Sequence, residues 1–215
     1  KVFAAPAQRP TVVWLHFAEC TGCSEAVLRS QYPFVDELVL DILSVEYHET
    51  IMTASGHQAE ENLHAAVKKY EGKFICVVEG SIATNFDGGY GKVAGRTFLD
   101  IAKDVVPKAA ATIAIGTCAA YGGVPAAAPN PGGYKGVTDA IGVKTLNIPG
   151  CPPNPANFIG TVLYFVTYGK LPPIDDKGRP KWAYGRLIHE NCYRRPHFDA
   201  GQFVEHWDDE AARKG

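Results

Sequence analysis

Glu19-Cys20-Thr21-Gly22-Cys23 stands between a short apolar run, Thr11-Val12-Val13-Trp14-Leu15-His16, and a stretch from Ser24 to Ser30 that reads as a helix. A Cys-x-x-Cys turn between a strand and a helix sets two sulfurs on one side of a tight loop. There they feel the positive end of the helix and ionise more easily. Gly22 lets the backbone turn without steric cost. Alone, the motif suits a thioredoxin-like redox pair, half a zinc site or half an iron–sulfur site. The rest of the chain has to decide.

Outward from this turn, short strands and helices alternate. Thr11 to His16 is the first strand, and a second is expected within Val35 to Val45, roughly Leu38 to Ser44. Ala59 to Lys69 has helical periodicity, with Leu63, Ala66 and Val67 on one face. Phe74 to Val78 is the third strand, ending at Glu79-Gly80, and Thr97 to Val106 is a helix closed by Pro107. Ala111 to Ile115 is the fourth strand, running into Gly116-Thr117-Cys118. After a short helix at Gly136 to Ile141, the fifth strand, Thr145 to Ile148, runs into Pro149-Gly150-Cys151. Asn154 to Tyr168 is a helix with Pro155 in its first turn.

Apolar strands without alternation, separated by helices, indicate a parallel sheet covered on both faces. Such α/β sheets bind ligands beyond the carboxyl ends of their strands. Cys20, Cys118 and Cys151 each follow a strand end, and Cys23 is one turn from Cys20. Four cysteines far apart in sequence are therefore expected on one rim of one sheet.

The 215 residues suit one large or two small domains, and 46% apolar residues suffice for a sizeable core. Lys170 to Pro180 is a polar, proline-rich connector, which divides the chain into 1–172 and 173–215. A charged helical stretch, Asp208 to Lys214, closes the second part. The formal net charge of -2 leaves no basic footprint for nucleic acid. No apolar run reaches the roughly 18 residues of a membrane span. No signal peptide is visible, and Lys1 to Ala7 reads either as the ragged edge of a processed leader or as a loose terminus.

Six cysteines, at 20, 23, 76, 118, 151 and 192, fall short of a disulfide scaffold. Cys76 lies inside an apolar strand and reads as an inert buried thiol; the other five lie in Gly/Pro/Asn-rich loop sequence. Four converging thiolates hold either zinc or an iron–sulfur cluster. Structural zinc sites usually pair two short Cys-x-x-Cys knuckles, whereas here two ligands come singly, which favours a cluster in a folded cleft. The Gly- and Pro-rich loops around Cys118 and Cys151 also supply rigid backbone whose N–H groups can point at sulfur. A zinc-stapled or flavodoxin-like binding module is the non-enzymatic alternative, colourless or flavin-yellow where an iron–sulfur protein is brown.

The ordered motifs Glu-Cys-Thr-Gly-Cys-Ser-Glu (19–25), Val-Val-Glu-Gly (77–80), Gly-Thr-Cys-Ala-Ala-Tyr-Gly-Gly-Val (116–124), Pro-Asn-Pro (129–131), Ile-Pro-Gly-Cys-Pro-Pro-Asn-Pro (148–155) and Ile-His-Glu-Asn-Cys (188–192) closely resemble the small subunit of nickel–iron uptake hydrogenases. The resemblance covers about Arg9 to Gly215. It implies a flavodoxin-like doubly wound parallel sheet, holding a proximal four-iron, four-sulfur cluster on Cys20, Cys23, Cys118 and Cys151. An irregular iron–sulfur C-terminal region follows, truncated here. His189 and Cys192 match two ligands of a distal four-iron cluster. Two further distal cysteines and the three cysteines of a medial three-iron, four-sulfur cluster have no counterpart in these 215 residues, so the chain reads as a truncated product.

The resemblance also implies an obligate large partner subunit that carries the nickel–iron centre, so this chain passes on electrons rather than activating hydrogen. A c-type cytochrome or similar acceptor and a periplasmic location, free or membrane-associated, follow from the same likeness. Glu19 matches a carboxylate on a proposed proton route; otherwise it is a helix-start carboxylate. Glu79 and Thr21 are expected to support the cluster ligands by hydrogen bonding. Cluster-bearing subunits of quinone oxidoreductases resemble the same sheet but begin their site with adjacent cysteines, whereas Thr21 and Gly22 separate Cys20 from Cys23. Oxygen-tolerant relatives carry two extra cysteines where this chain has Gly22 and Gly123, which implies an ordinary, oxygen-sensitive cluster. His16, His48, His57, His64, His197 and His206 lack partner spacing, and no metal role is expected of them.

Overall fold

The structure is a computed structural model that describes residues 9–214, with Lys214 described by its backbone alone. The leader reading of Lys1 to Ala7 lies outside the described residues. Five strands form one parallel sheet: β1 (Thr11–His16), β2 (Ser44–His48), β3 (Ile75–Glu79), β4 (Ala111–Ile115) and β5 (Leu146–Ile148), in the order β2-β1-β3-β4-β5. This is the flavodoxin-like order, in which the chain reverses direction across the sheet between β1 and β3. The helices that cover it are α1 (Gly22–Leu28), α2 (Gly56–Lys69), α3 (Phe98–Val105), α4 (Gly116–Tyr121), α5 (Val137–Ile141) and α6 (Pro155–Tyr168).

The two faces explain why the inner strands read as unbroken apolar runs. Val13 and Leu15 of β1, with Cys76 and Val78 of β3, pack against Leu63 and Val67 of α2 and Ala102 and Val105 of α3. Val12 and Trp14, with Ile75 and Val77, pack on the other side against Val27 of α1 and Phe158 and Val162 of α6. Every position of β1 and β3 is buried, so neither strand needs a polar face. Asn154 caps α6 by accepting from Ala156 N at 3.0 Å, with Pro155 at the first helical position.

The second strand departs from expectation. Leu38–Ile42 is a π-helical turn, and β2 begins only at Ser44. Leu38 and Ile42 are buried four residues apart, while Leu40 between them is 67% exposed, a helical spacing hidden inside a largely apolar stretch. β2 itself is Ser-Val-Glu-Tyr-His, polar enough to pass for a loop because it is an edge strand with one neighbour. Two of the cysteines expected in loops also sit in helices: Cys23 in the first turn of α1 and Cys118 in α4.

Past α6 the connector folds back on the sheet edge. Asn147 of β5 donates from its backbone to Gly178 O at 2.8 Å and from its side chain to Lys177 O at 2.8 Å. Asp175 pins this loop by accepting from Lys177 N, Arg179 N and Arg179 Nε at 3.0, 2.8 and 2.7 Å. Tyr184 Oη donates to Pro149 O at 2.9 Å, tying the segment to the loop that carries Cys151. Beyond it the chain exposes large apolar side chains, among them Ile188, Tyr193 and Trp207. The charged terminal helix is shorter than expected, spanning Glu210–Lys214.

Candidate metal centre

All four strand-end cysteines lie on the carboxyl rim of the sheet. Cys20 and Cys23 follow β1 at the chain reversal, Cys118 follows β4, and Cys151 follows β5. The last two loops are cross-tied: Thr117 N donates to Gly150 O at 2.9 Å, and Gly150 N donates back to Thr117 Oγ1 at 3.0 Å. The sulfurs rest against glycines. A Cβ on Gly116 (φ +83°) would strike Cys23 Sγ, one on Gly123 (φ +56°) would meet Cys118 Sγ at 2.7 Å, and one on Gly22 would meet Cys20 Sγ at 3.1 Å. Both positive φ values also disfavour any other residue.

The four thiols share one electrostatic cup. Burial pushes the Cys23 thiol far up, and the Glu79 carboxylate, Cys118, Cys20 and Cys151 push it further. Burial likewise raises Cys118, opposed by a hydrogen bond from the Val124 amide and reinforced by Cys151, Cys20 and Glu19. Thiolates gathered here would repel one another, a repulsion that a strongly cationic group bound among them would offset.

Four cysteines from three strand ends, two of them arriving singly and with glycines leaving room at their sulfurs, form a donor set that suits an iron–sulfur cluster better than the paired knuckles of a structural zinc site.

Glu79, at the end of β3 and 1% exposed, holds the Cys-x-x-Cys turn from beneath. Its Oε1 accepts from Cys23 N at 3.0 Å. Its Oε2 accepts from Ser24 N at 3.1 Å, Ser24 Oγ at 2.6 Å and Trp14 Nε1 at 3.3 Å. All four partners are donors, so the carboxylate acts solely as an acceptor, and it satisfies the first amides of α1.

Glu19 faces the same space from the turn. Its Oε1 lies 3.3 Å from His16 Nδ1 and accepts from Thr21 Oγ1 at 3.2 Å. Burial raises its carboxyl, the Glu79 charge adds to this, and His16 and the two hydrogen bonds oppose it. Thr21 sits at φ +63°, unfavourable for a β-branched residue, in a conformation that aims its hydroxyl at Glu19.

His189 and Cys192 occupy the exposed C-terminal segment. His189 lies in the 3-10 turn Ile188–Asn191, and Cys192 N donates to its carbonyl at 3.4 Å. Among the described residues no further His, Cys, Asp or Glu side chain joins the pair within 4.8 Å to complete a ligand set. Cys76 is buried in β3 away from the rim, and burial alone pushes its thiol up.

Four residues of this neighbourhood escape sequence reading. His16 joins Glu19 and Glu79 in a group whose ligand atoms all lie within 4.8 Å of one another, although the sequence gives it no partner spacing and the resemblance singles out only His189 among the histidines. Trp14 and Ser24 belong to the support of Glu79, and His48 bonds to Ser24. The alternation of Trp14 and His16 along β1 is a usable signal. His48 has none, because the apolar stretch that imitates a strand lies upstream of the strand that carries it.

Comparison with known proteins agrees with this geometry. The family described as NADH ubiquinone oxidoreductase, 20 Kd subunit, matches residues 20–165, and the family described as the C-terminal part of the NiFe/NiFeSe hydrogenase small subunit matches residues 184–214. The periplasmic [NiFe] hydrogenase small subunit 1 of Nitratidesulfovibrio vulgaris is 54% identical, over 97% of this chain and 66% of its own length. The hydrogenase-2 small chain of Escherichia coli K12 is 53% identical, over 97% of this chain and 56% of its own length. The chain thus spans less than two thirds of these relatives. Among solved structures, a reduced, active form of the Ni-Fe-Se hydrogenase from Desulfomicrobium baculatum superposes with a TM-score of 0.87 at 35% identity, covering 94% of this chain and 80% of that one. With sheet order, rim cysteines and relatives in agreement, the chain belongs to the nickel–iron hydrogenase small-subunit family.

Proposed function

We propose that this chain is the electron-transfer subunit of a heterodimeric nickel–iron hydrogenase, which interconverts dihydrogen with two protons and two electrons. The nickel–iron centre belongs to the large partner subunit, and this chain carries electrons away from it. The observation that supports the reading best is the gathering of Cys20, Cys23, Cys118 and Cys151 on one rim of the sheet, where glycines leave room for their sulfurs. A four-iron, four-sulfur cluster bound there supplies one-electron transfer.

The chain's own residues do the rest. The four cysteines bind, Gly116 and Gly123 leave room for sulfur, and Glu79 fixes the Cys23 amide. Glu19, hydrogen-bonded to His16 and Thr21, stands on the proton route proposed for the family. Residues 1–172 form the unit around this site, and 173–215 begin a region in which His189 and Cys192 serve a distal four-iron cluster. The remaining distal ligands, and those of a medial three-iron cluster, come from outside these residues. Electrons leave to a c-type cytochrome or similar acceptor on the periplasmic side. Among the described residues no helix is long and apolar enough to cross a membrane.

The test is metal and acid-labile sulfide analysis of the native complex, with electron paramagnetic resonance of its reduced form. Iron and sulfide in equal amounts, with hydrogen-dependent dye reduction, are expected. Stoichiometric zinc on the four cysteines would overturn the reading.

A further inference from the structure

We propose that His48 is a positioning residue for the Cys23 side of the cluster site, acting through Ser24 and Glu79. The tautomer follows from its neighbours. Thr50 N donates to His48 Nδ1 at 3.3 Å, so Nδ1 is an acceptor and the ring proton sits on Nε2. His48 Nε2 lies 3.1 Å from Ser24 Oγ and donates to it. Ser24 has one hydroxyl proton, and while one of its lone pairs accepts from His48 that proton goes to the acceptor Glu79 Oε2 at 2.6 Å. Glu79 in turn accepts from the amides of Cys23 and Ser24. A directed chain of hydrogen bonds thus runs from the end of β2, through α1, to the end of β3.

The chain has no slack. His48 is 4% exposed, Ser24 2% and Glu79 1%. The imidazole is packed by the Trp14 ring, 4.8 Å away, and by the edge of His16 at 4.7 Å. Burial and the neighbouring His16 push its pKa down to about 3, with a backbone hydrogen bond opposing, so it stays a neutral single donor at working pH. If the Nε2 donor is removed, Ser24 Oγ loses the partner that orients it, and Glu79 loses a committed donor. A buried acceptor short of a donor is costly, so the Cys23 turn loosens.

This inference rests on the reading of the four cysteines as cluster ligands. Its test compares H48Q, H48F and S24A in the native complex. Backbone hydrogen exchange is read by mass spectrometry over residues 17–30, alongside the electron paramagnetic resonance spectrum of the reduced cluster. In H48F and S24A the Cys23 and Ser24 amides should exchange at least about tenfold faster, the scale of one lost charge-assisted hydrogen bond. The reduced-cluster spectrum should shift with them. H48Q restores an N–H donor and should keep both wild-type properties. Unchanged exchange in H48F, or equal loss in H48Q and H48F, overturns the proposal, since packing alone would then explain the site. If H48F fails to assemble, S24A decides alone, and wild-type protection in S24A is fatal. Iron measured on the wild-type complex keeps the two readings apart, because absence of iron sinks the cluster and leaves the exchange result standing.

Discussion

Glu79 and Cys23, 56 residues apart, are joined by a 3.0 Å hydrogen bond from the cysteine amide to the carboxylate Oε1. This contact ties the end of one central strand to the turn that follows its neighbour. A buried carboxylate with four donors leaves those donors stranded when it is removed. E79A should therefore destabilise the complex by about 2–5 kcal/mol and lower its iron content. E79Q keeps the volume but turns an NH2 group towards donors, and should recover less than half of the loss. Urea midpoints and iron per chain check both.

Space rather than backbone freedom is decisive at Gly116. Gly116 and Gly142 both have positive φ, at +83° and +74°, but an added Cβ meets Cys23 Sγ at the first and nothing within 4 Å at the second. G142A should cost about 1–2 kcal/mol of backbone strain and leave iron unchanged. G116A should cost more and lose most of the iron. Iron analysis of the two variants separates the effects.

The cysteines divide by the same logic. C118S and C151S should abolish or strip the cluster, read as lost broad visible absorption. C76A removes a buried sulfur from the core and should cost about 1 kcal/mol, with iron unaffected. Loss of iron in C76A would contradict the assignment of Cys76 to packing alone.

His48 gives the protein a defined acid sensitivity. Its pKa falls from 6.5 in the unfolded chain to about 3 in the fold, so below pH 6.5 the unfolded state binds a proton that the folded state does not. Stability is full above that value and falls as pH drops towards 3, by up to about 1.4 kcal/mol per pH unit. H48Q should flatten this slope between pH 6 and pH 4 in denaturation series.

By the family resemblance, Gly22 and Gly123 match positions at which oxygen-tolerant members are expected to carry cysteines. The hydrogen-dependent activity of the native complex should accordingly decay in air. Sustained turnover in air-saturated buffer would contradict the expectation.

The amino-acid sequence by itself determined the α/β class, the strands β1, β3, β4 and β5, α6 with Pro155 in its first turn, and the rim on which the cysteines gather. These follow from local signals: strands covered on both faces must be apolar throughout, and a ligand cysteine in such a sheet follows a strand end. Local signals failed at β2, where Leu38 to Leu43 imitated a strand and the true edge strand imitated a loop. With β2 went His48, and with it the link to Ser24. Only the tertiary structure decided which donors Glu79 accepts from under the Cys23 turn, and that His16 and His48 come to stand beside that carboxylate and Ser24. Those are distances between residues remote in the chain, set by how β1, β2, β3 and α1 pack, and no spacing along the sequence encodes them.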